Sequence, residues 1–231
     1  VNDIYKKDWR KLKIACFDTE TTGTNINDDR ITEMGIIIFK KGEPIKKYCR
    51  LINPKKKIHP KAAKVSGITD SDVKEQRTFK QRFKKIYKLL YGADLWCAFN
   101  DQFDRGIMAA EFRRCGEEYE DKPCIDPRIW ADHMWPGQTN NLDSVSARLR
   151  VNVPRTVTDE LKINVARHRA DYDSLVTGYC LFAMMSAMPK TLRQTLYVQD
   201  YIYRRWLTNV YNNNPRFARS VEPTMPPEHV R

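Results

Sequence analysis

In "ACFDTETTG", residues 15–23, two carboxylates, Asp18 and Glu20, close an apolar run where a buried strand would continue with apolar side chains. Side chains alternate along a strand, so Leu12, Ile14, Cys16, Asp18 and Glu20 share one face if the strand persists. Both acids then project from the strand's C-terminal end, which is where ligands bind in open α/β sheets. Two adjacent carboxylates raise each other's pKa unless a cation sits between them, and hard oxygen donors of this kind suit Mg2+ or Mn2+. The same pair could equally begin a solvated loop, so the decision falls to other acids. Asp104 follows "DLWCAF" and opens a helix, where free N–H groups stabilise an acid as a cap as well as metal would. Asp173 precedes Val176, Tyr179 and Cys180 by three, six and seven residues, on one face of its helix, and a carboxylate aimed at a core wants a partner. His168, in "ARHRADYD", is an ordinary surface residue taken alone and a candidate general base beside a metal.

Several elements must position these groups. "LKIACFD" (12–18) has the pattern of a strand, and "ITEMGIIIFKKGEPIKKYCRLI" (31–52) that of two more joined around Lys41-Gly42. "TFKQRFKKIYKLLY" (78–91) carries Thr78 and Gln81 at capping-box spacing ahead of a helical stripe of Phe79, Phe83, Ile86, Tyr87 and Leu90. "DLWCAFN" (94–100) reads as a buried strand feeding a helix, with Phe103, Ile107 and Ala110 as its apolar stripe. Residues 141–149 and 171–188 are again helical. Strands first and helices in alternation later predict an α/β fold, a mixed sheet flanked by helices.

The 231 residues, 41% of them hydrophobic, suffice for one sizeable core. A net charge of +12, from 41 Lys and Arg against 29 Asp and Glu, favours a polyanionic partner, most simply nucleic acid bound in a salt-sensitive way. "NPKKKIHPKAAK" (53–64) and the N-terminal "KKDWRKLK" concentrate this charge, or form solvated faces. No run of 18 apolar residues and no hydrophobic signal core is present, so the expectation is a cytoplasmic protein without a membrane partner. The first residue is not Met, which would fit a trimmed start. Six scattered cysteines without a CxxC pair read as reduced core thiols rather than a zinc site.

"FDTETTG", "DDRITEMGIIIF", "SGIT" (66–69), "FNDQFDRGIM", "NLDSVSARL" and "HRADYD" occur in the order in which the DEDDh 3′→5′ exonucleases carry their motifs, and residues 12–187 resemble that family. The likeness is greatest to its DnaQ-like branch, which includes the proofreading subunit of bacterial replicative DNA polymerase. The resemblance implies a ribonuclease H-like fold in which Asp18, Glu20, Asp104 and Asp173 hold two divalent ions, Mg2+ or Mn2+, about 3.5 to 4 Å apart across the scissile phosphate. It also implies His168 as the base that takes a proton from the attacking water, release of nucleoside 5′-monophosphates from the 3′ end of DNA, and a terminal-nucleotide pocket at Thr21, Thr22, Gly67 and Ile68. An RNA-trimming enzyme with the same site, or a silent binding module, are the other readings, although all five DEDDh residues are present.

Three departures stand out. Phe99-Asn100 replaces the family's frequent His-Asn, leaving Asn100 as the orienting group; residues 154–167 make a long connection to His168, which would let it sit on a mobile loop; and residues 189–231 add a Tyr-rich helix and a Pro-containing tail. The chain thus divides into a basic lead (1–11), an exonuclease domain (12–188) and an extension (189–231), whose aromatic and Arg content suits single-stranded 3′ ends, a polymerase or other protein partner, or docking back onto the domain.

Overall fold

The computed structural model describes residues 3–165 and 168–213, so the tail beyond 213 and the two residues before His168 lie outside the described residues. Five strands form one mixed sheet in the order β3-β2-β1-β4-β5: β1 (Lys13–Thr21), β2 (Ile31–Lys40), β3 (Glu43–Leu51), β4 (Leu95–Cys97) and β5 (Cys124–Ile125). β1 is central, antiparallel to β2 and parallel to β4. The β2–β3 hairpin turns where expected, through Lys41 (φ 54°) and Gly42 (φ 86°), the double positive φ that a tight hairpin with right-handed twist requires. β1 persists beyond Asp18 through Thr21, with Glu20 paired to Glu33 of β2, which places Asp18 and Glu20 on one face as the alternation predicts.

The helices are α1 (Pro60–Ser66), α2 (Asp70–Val73), α3 (Phe79–Leu90), α4 (Asp101–Cys115), α5 (Pro127–Met134), α6 (Leu142–Arg148), α7 (Arg155–Leu161), α8 (Ala170–Ala183) and α9 (Leu192–Asn213). The Thr78–Gln81 capping box of α3 forms in both directions. β4 is shorter than the predicted 94–100, because the chain leaves the sheet after Cys97 and Asn100 turns into the left-handed region (φ 67°) to start α4. Phe103 is only half-buried, unlike Ile107 and Ala110, which are buried. α1, α2, α5, α7 and β5 are not expected from the sequence, each being too short for a period to repeat within it.

Strand alternation divides the core. Ile14, Cys16, Ile37 and Phe39 face α5, α8 and α9, whereas Ala15, Phe17, Ile36 and Ile38 face α3 and α4. All six cysteines are free thiols, and Cys16, Cys97, Cys124 and Cys180 are buried. The lead and the extension are tied to each other: Trp9, fully buried, donates its indole N–H to the Pro189 carbonyl at 2.9 Å, and the backbone of Leu192 donates to Lys7. Gln199 of α9 accepts from the Asp126 N–H and donates to the Cys124 carbonyl, docking the helix on β5. No helix among the described residues is long and apolar enough to cross a membrane.

One glycine sets how closely α8 lies on the sheet. A Cβ at Gly35 of β2 would stand 2.1 Å from the Ala170 carbonyl oxygen, backbone against backbone, so only glycine lets the start of α8 reach its place beside β1. Gly35 is the register partner of Asp18. Gly35→Ala should therefore cost about 1–3 kcal/mol of stability, as overpacking does, and also withdraw Asp173 from Asp18. Thermal unfolding with and without Mn2+ checks both; a parent-like midpoint and metal response would refute this account of the glycine.

Candidate metal centre

Parity along β1 decides which acids meet. Asp18 and Glu20 point to the α8 side, and there a carboxylate oxygen from each, with one from Asp173 of α8, lie within 4.8 Å of one another. Thr19 points to the other side, and its hydroxyl donates to Asp104 Oδ1 of α4 at 2.6 Å in a buried contact. Asp104 thus approaches the end of β1 from the opposite face of the sheet and is not among the three clustered oxygens, although its charge acts on Asp18.

The donor set suits a hard divalent cation. Burial, then the charges of Asp104, Glu20 and Asp173, push the Asp18 carboxyl far above its ordinary range. Burial and the charges of Asp173, Glu33 and Asp104 push Glu20 up to about 8, and burial takes Asp104 up to about 7 against the opposing Thr19 hydrogen bond. Without a cation these shifts favour protonated carboxyls near neutral pH; a cation would replace the protons.

A pH dependence follows from these directions. Between roughly pH 4.5, where an exposed glutamate titrates, and about 8, where Glu20 titrates in the fold, the folded protein binds more protons than the unfolded chain. Stability then falls as pH rises through that window. A divalent ion binds the deprotonated cluster and should cancel the fall. At a hundredfold excess over Kd it adds about 2.7 kcal/mol, an increase of about 5–10 °C in Tm for a chain of this size. Melting between pH 5 and 8 with and without Mn2+ measures both; a metal-free Tm that climbs across the window contradicts the assignment.

Two residues without a role in the sequence reading organise the rim. Glu33 of β2, fully buried, accepts from the guanidinium of Arg169 in a forked pair and from the Ala170 N–H at 3.1 Å. This pair fixes the chain immediately after His168 against the sheet. Asp171, 1% exposed, is held by Lys47 of β3 at 2.5 Å, which anchors the first turn of α8 from the sheet edge. Glu33 was open to detection as a charge inside the apolar run "ITEMGIIIF", since a buried charge needs a partner; nothing local names Arg169 as that partner.

His168 sits exposed in the turn before α8 with φ 55°, outside the carboxylate cluster. Thr21 donates its hydroxyl to the Gly23 carbonyl and Thr22 donates its own to Asp29 Oδ1 at 2.7 Å, so both side chains are engaged within their loop. Gly67 closes α1 with φ 69°, and Ile68 packs with Ile58 and Val73 in a small cluster beside that loop, which the Thr22 carbonyl joins to α1 by accepting from the His59 N–H. Asn100 accepts from Arg128 Nη1 through Oδ1 at 2.9 Å.

A family model described as Exonuclease (RNase_T) matches residues 15–181. The DNA polymerase III subunit epsilon of Treponema pallidum is 31% identical over 196 residues, covering 80% of this chain and 89% of that protein. The PolC-type DNA polymerase III of Bacillus cereus is 30% identical over 170 residues, 73% of this chain, and the chain spans only 11% of that polymerase. Among solved structures, exonuclease X in complex with 5′ overhanging duplex DNA superimposes with a TM-score of 0.64 over 80% of this chain and 99% of that one, at 22% identity, a likeness of fold.

Proposed function

The chain belongs to the Exonuclease (RNase_T) family of nucleases, and from that premise we propose that it is a cytoplasmic, metal-dependent 3′→5′ exonuclease releasing nucleoside 5′-monophosphates from the 3′ end of DNA. The observation that carries this reading is the convergence of Asp18, Glu20 and Asp173, three carboxylates whose protons a divalent cation would displace. Asp18, Glu20 and Asp173 would hold the ions, with Asp104 joining from the Thr19 side. When bound, two Mg2+ or Mn2+ ions supply Lewis-acid stabilisation to the phosphoryl and leaving oxygens.

The other residues bind, orient or move the proton. His168 accepts the proton of the attacking water, and its exposed position leaves the imidazole open to solvent and substrate. The Glu33–Arg169 pair supports it from behind. Asn100 orients the strand. The loop at Thr21 and Thr22, with Gly67 and Ile68 beside it, receives the terminal nucleotide through backbone and apolar contact, its hydroxyls being engaged elsewhere. Residues 12–188 form the exonuclease domain, with 189–213 docked on it. The relatives' names make a replicative polymerase the protein partner this reading implies.

End dependence tests the reading. A linear single strand with a free 3′ hydroxyl should shorten to nucleoside 5′-monophosphates, while a circular strand of the same sequence stays intact over the same time course. Nicking of the circle would mean that the enzyme attacks internal bonds, and the exonuclease assignment would fail.

A further inference from the structure

On the β5 side of the sheet a cavity of about 170 Å³ opens between α5 and α9, with Asn100, Arg128, Ile129, Ile202, Tyr203 and Trp206 in its wall. Two of these are aromatic and stacked: Tyr203 and Trp206 have ring centroids 5.8 Å apart and planes at 24°. Trp206 is 41% exposed, so its ring is open to solvent. Arg128, 44% exposed, joins the cavity to the start of α4 through its bond to Asn100.

The chemistry of the wall selects the occupant. Its two acids are already engaged, Asp126 by the N–H groups of Asn100, Asp101 and Arg128 at 2.8–3.1 Å, and Asp132 by Asn140 at 2.9 Å. Arg128 Nε also lies 3.9 Å from Asp132 Oδ2, a pair 44% and 36% exposed, so the guanidinium is the cation of the wall, shared between Asp132, Asn100 and solvent. A cavity of roughly 150 Å³ accommodates one benzene ring, so this one takes a single planar ring and is too small for a whole nucleotide. An aromatic pair, an adjoining arginine and room for one ring match a nucleobase with its phosphate outside.

Its place in the fold gives the base a position on the strand. Asn100 caps α4, and Asp104 stands about one helical turn, roughly 5.4 Å, further along. The loop at Thr22 and Ile68 lies towards the β2–β3 side of β1, whereas Asn100 follows β4 and Asp126 follows β5 on the other. A strand with its 3′ end at Thr22 and its reactive phosphate over Asp18 and Asp104 would pass Asn100 and reach the cavity. We propose that the α5–α9 cavity is a stacking subsite for one base of the single strand upstream of the bond to be cut, with that base against Trp206 and Tyr203 and Arg128 on the neighbouring phosphate. The inference rests on the exonuclease reading for its polarity, and it gives α9, an element outside the family match, a role in holding substrate.

The test is equilibrium binding of the full chain in EDTA, where no hydrolysis occurs, to labelled dithymidylate and hexathymidylate by fluorescence anisotropy. The wild-type chain should gain affinity with length. Trp206→Ala should weaken hexathymidylate binding by about 5- to 100-fold and remove most of that gain, Trp206→Phe should restore it, and Arg128→Ala should lower it and its salt dependence. Independently of any protein variant, hexathymidylate with a single abasic residue moved along it should lose the same factor at one internal position. Equal binding of the two lengths by wild type, or no cost for Trp206→Ala or for any abasic position, would overturn the subsite. Wild-type hydrolysis of thymidine 5′-monophosphate p-nitrophenyl ester with Mn2+, a substrate without an upstream base, reports on the exonuclease reading separately, since its absence would count against that reading and not against the cavity.

Discussion

Asp18→Ala should lose about a thousandfold or more in turnover while keeping its fold. On the proposed function the carboxylate would supply one of three clustered oxygens to a cation, whose charge stabilisation of a phosphoryl transition state would amount to several kcal/mol, each 1.36 kcal/mol being roughly tenfold in rate. The substitution removes no packed apolar group. It also relieves repulsion, because Asp18 lies buried against the charges of Asp104, Glu20 and Asp173. The metal-free variant should therefore melt no lower than the parent, and Mn2+ should no longer raise its Tm. Kinetics beside melting curves make the check. A folded variant with parent-like turnover and metal response would place the ion elsewhere.

His168→Ala should lose about 10² to 10⁴ in rate, the range a positioned general base contributes, with a different signature. His168 stands outside the carboxylate cluster, so the variant should keep the parent's Mn2+-induced rise in Tm and its affinity for a short strand in EDTA. The loss then falls on kcat with KM little changed, which marks an interaction made in the transition state alone. A variant that also lost the metal response would show that His168 acts as a ligand or holds α8 in place. The sequence reading set His168 on a mobile loop formed by residues 154–167. Residues 155–161 of that segment are helix α7, residues 166–167 lie outside the described residues, and Arg169 on the far side is pinned by Glu33.

Much of this arrangement was legible from local pattern. The hairpin at Lys41-Gly42, the capping box of α3 and the alternation along β1 all follow from spacing within a few residues, and each appears as expected. Asp18, Glu20 and Asp173 drew notice because carboxylates interrupt apolar patterns, and those three are the acids the fold gathers. What the pattern could not supply is pairing at a distance. Thr19 and Asp104 are 85 residues apart and Glu33 and Arg169 136 apart, so which buried charge meets which donor is set by the packing of α4 and α8 on opposite faces of the sheet. Thr19 was nonetheless within reach of simple reasoning: as the odd residue between two even acids it must look to the other face, and a polar group there needs a partner. The short helices α1, α2 and α7 escaped for the opposite reason, since one or two turns held by His59, Thr69 or Pro154 at their starts leave no repeat to find.

In the proposed function the carboxylates gathered at the end of β1 hold the metal that lets this chain shorten a strand from its 3′ end. A time course on 5′-labelled single-stranded DNA and a matched RNA, with Mn2+ or with EDTA, beside Asp18→Ala, tests it most directly. The expected result is a ladder of products shortening from the 3′ end, present only with Mn2+ and missing in the variant, with DNA degraded faster than RNA. Degradation that persists in EDTA, or in Asp18→Ala with Mn2+, would contradict it.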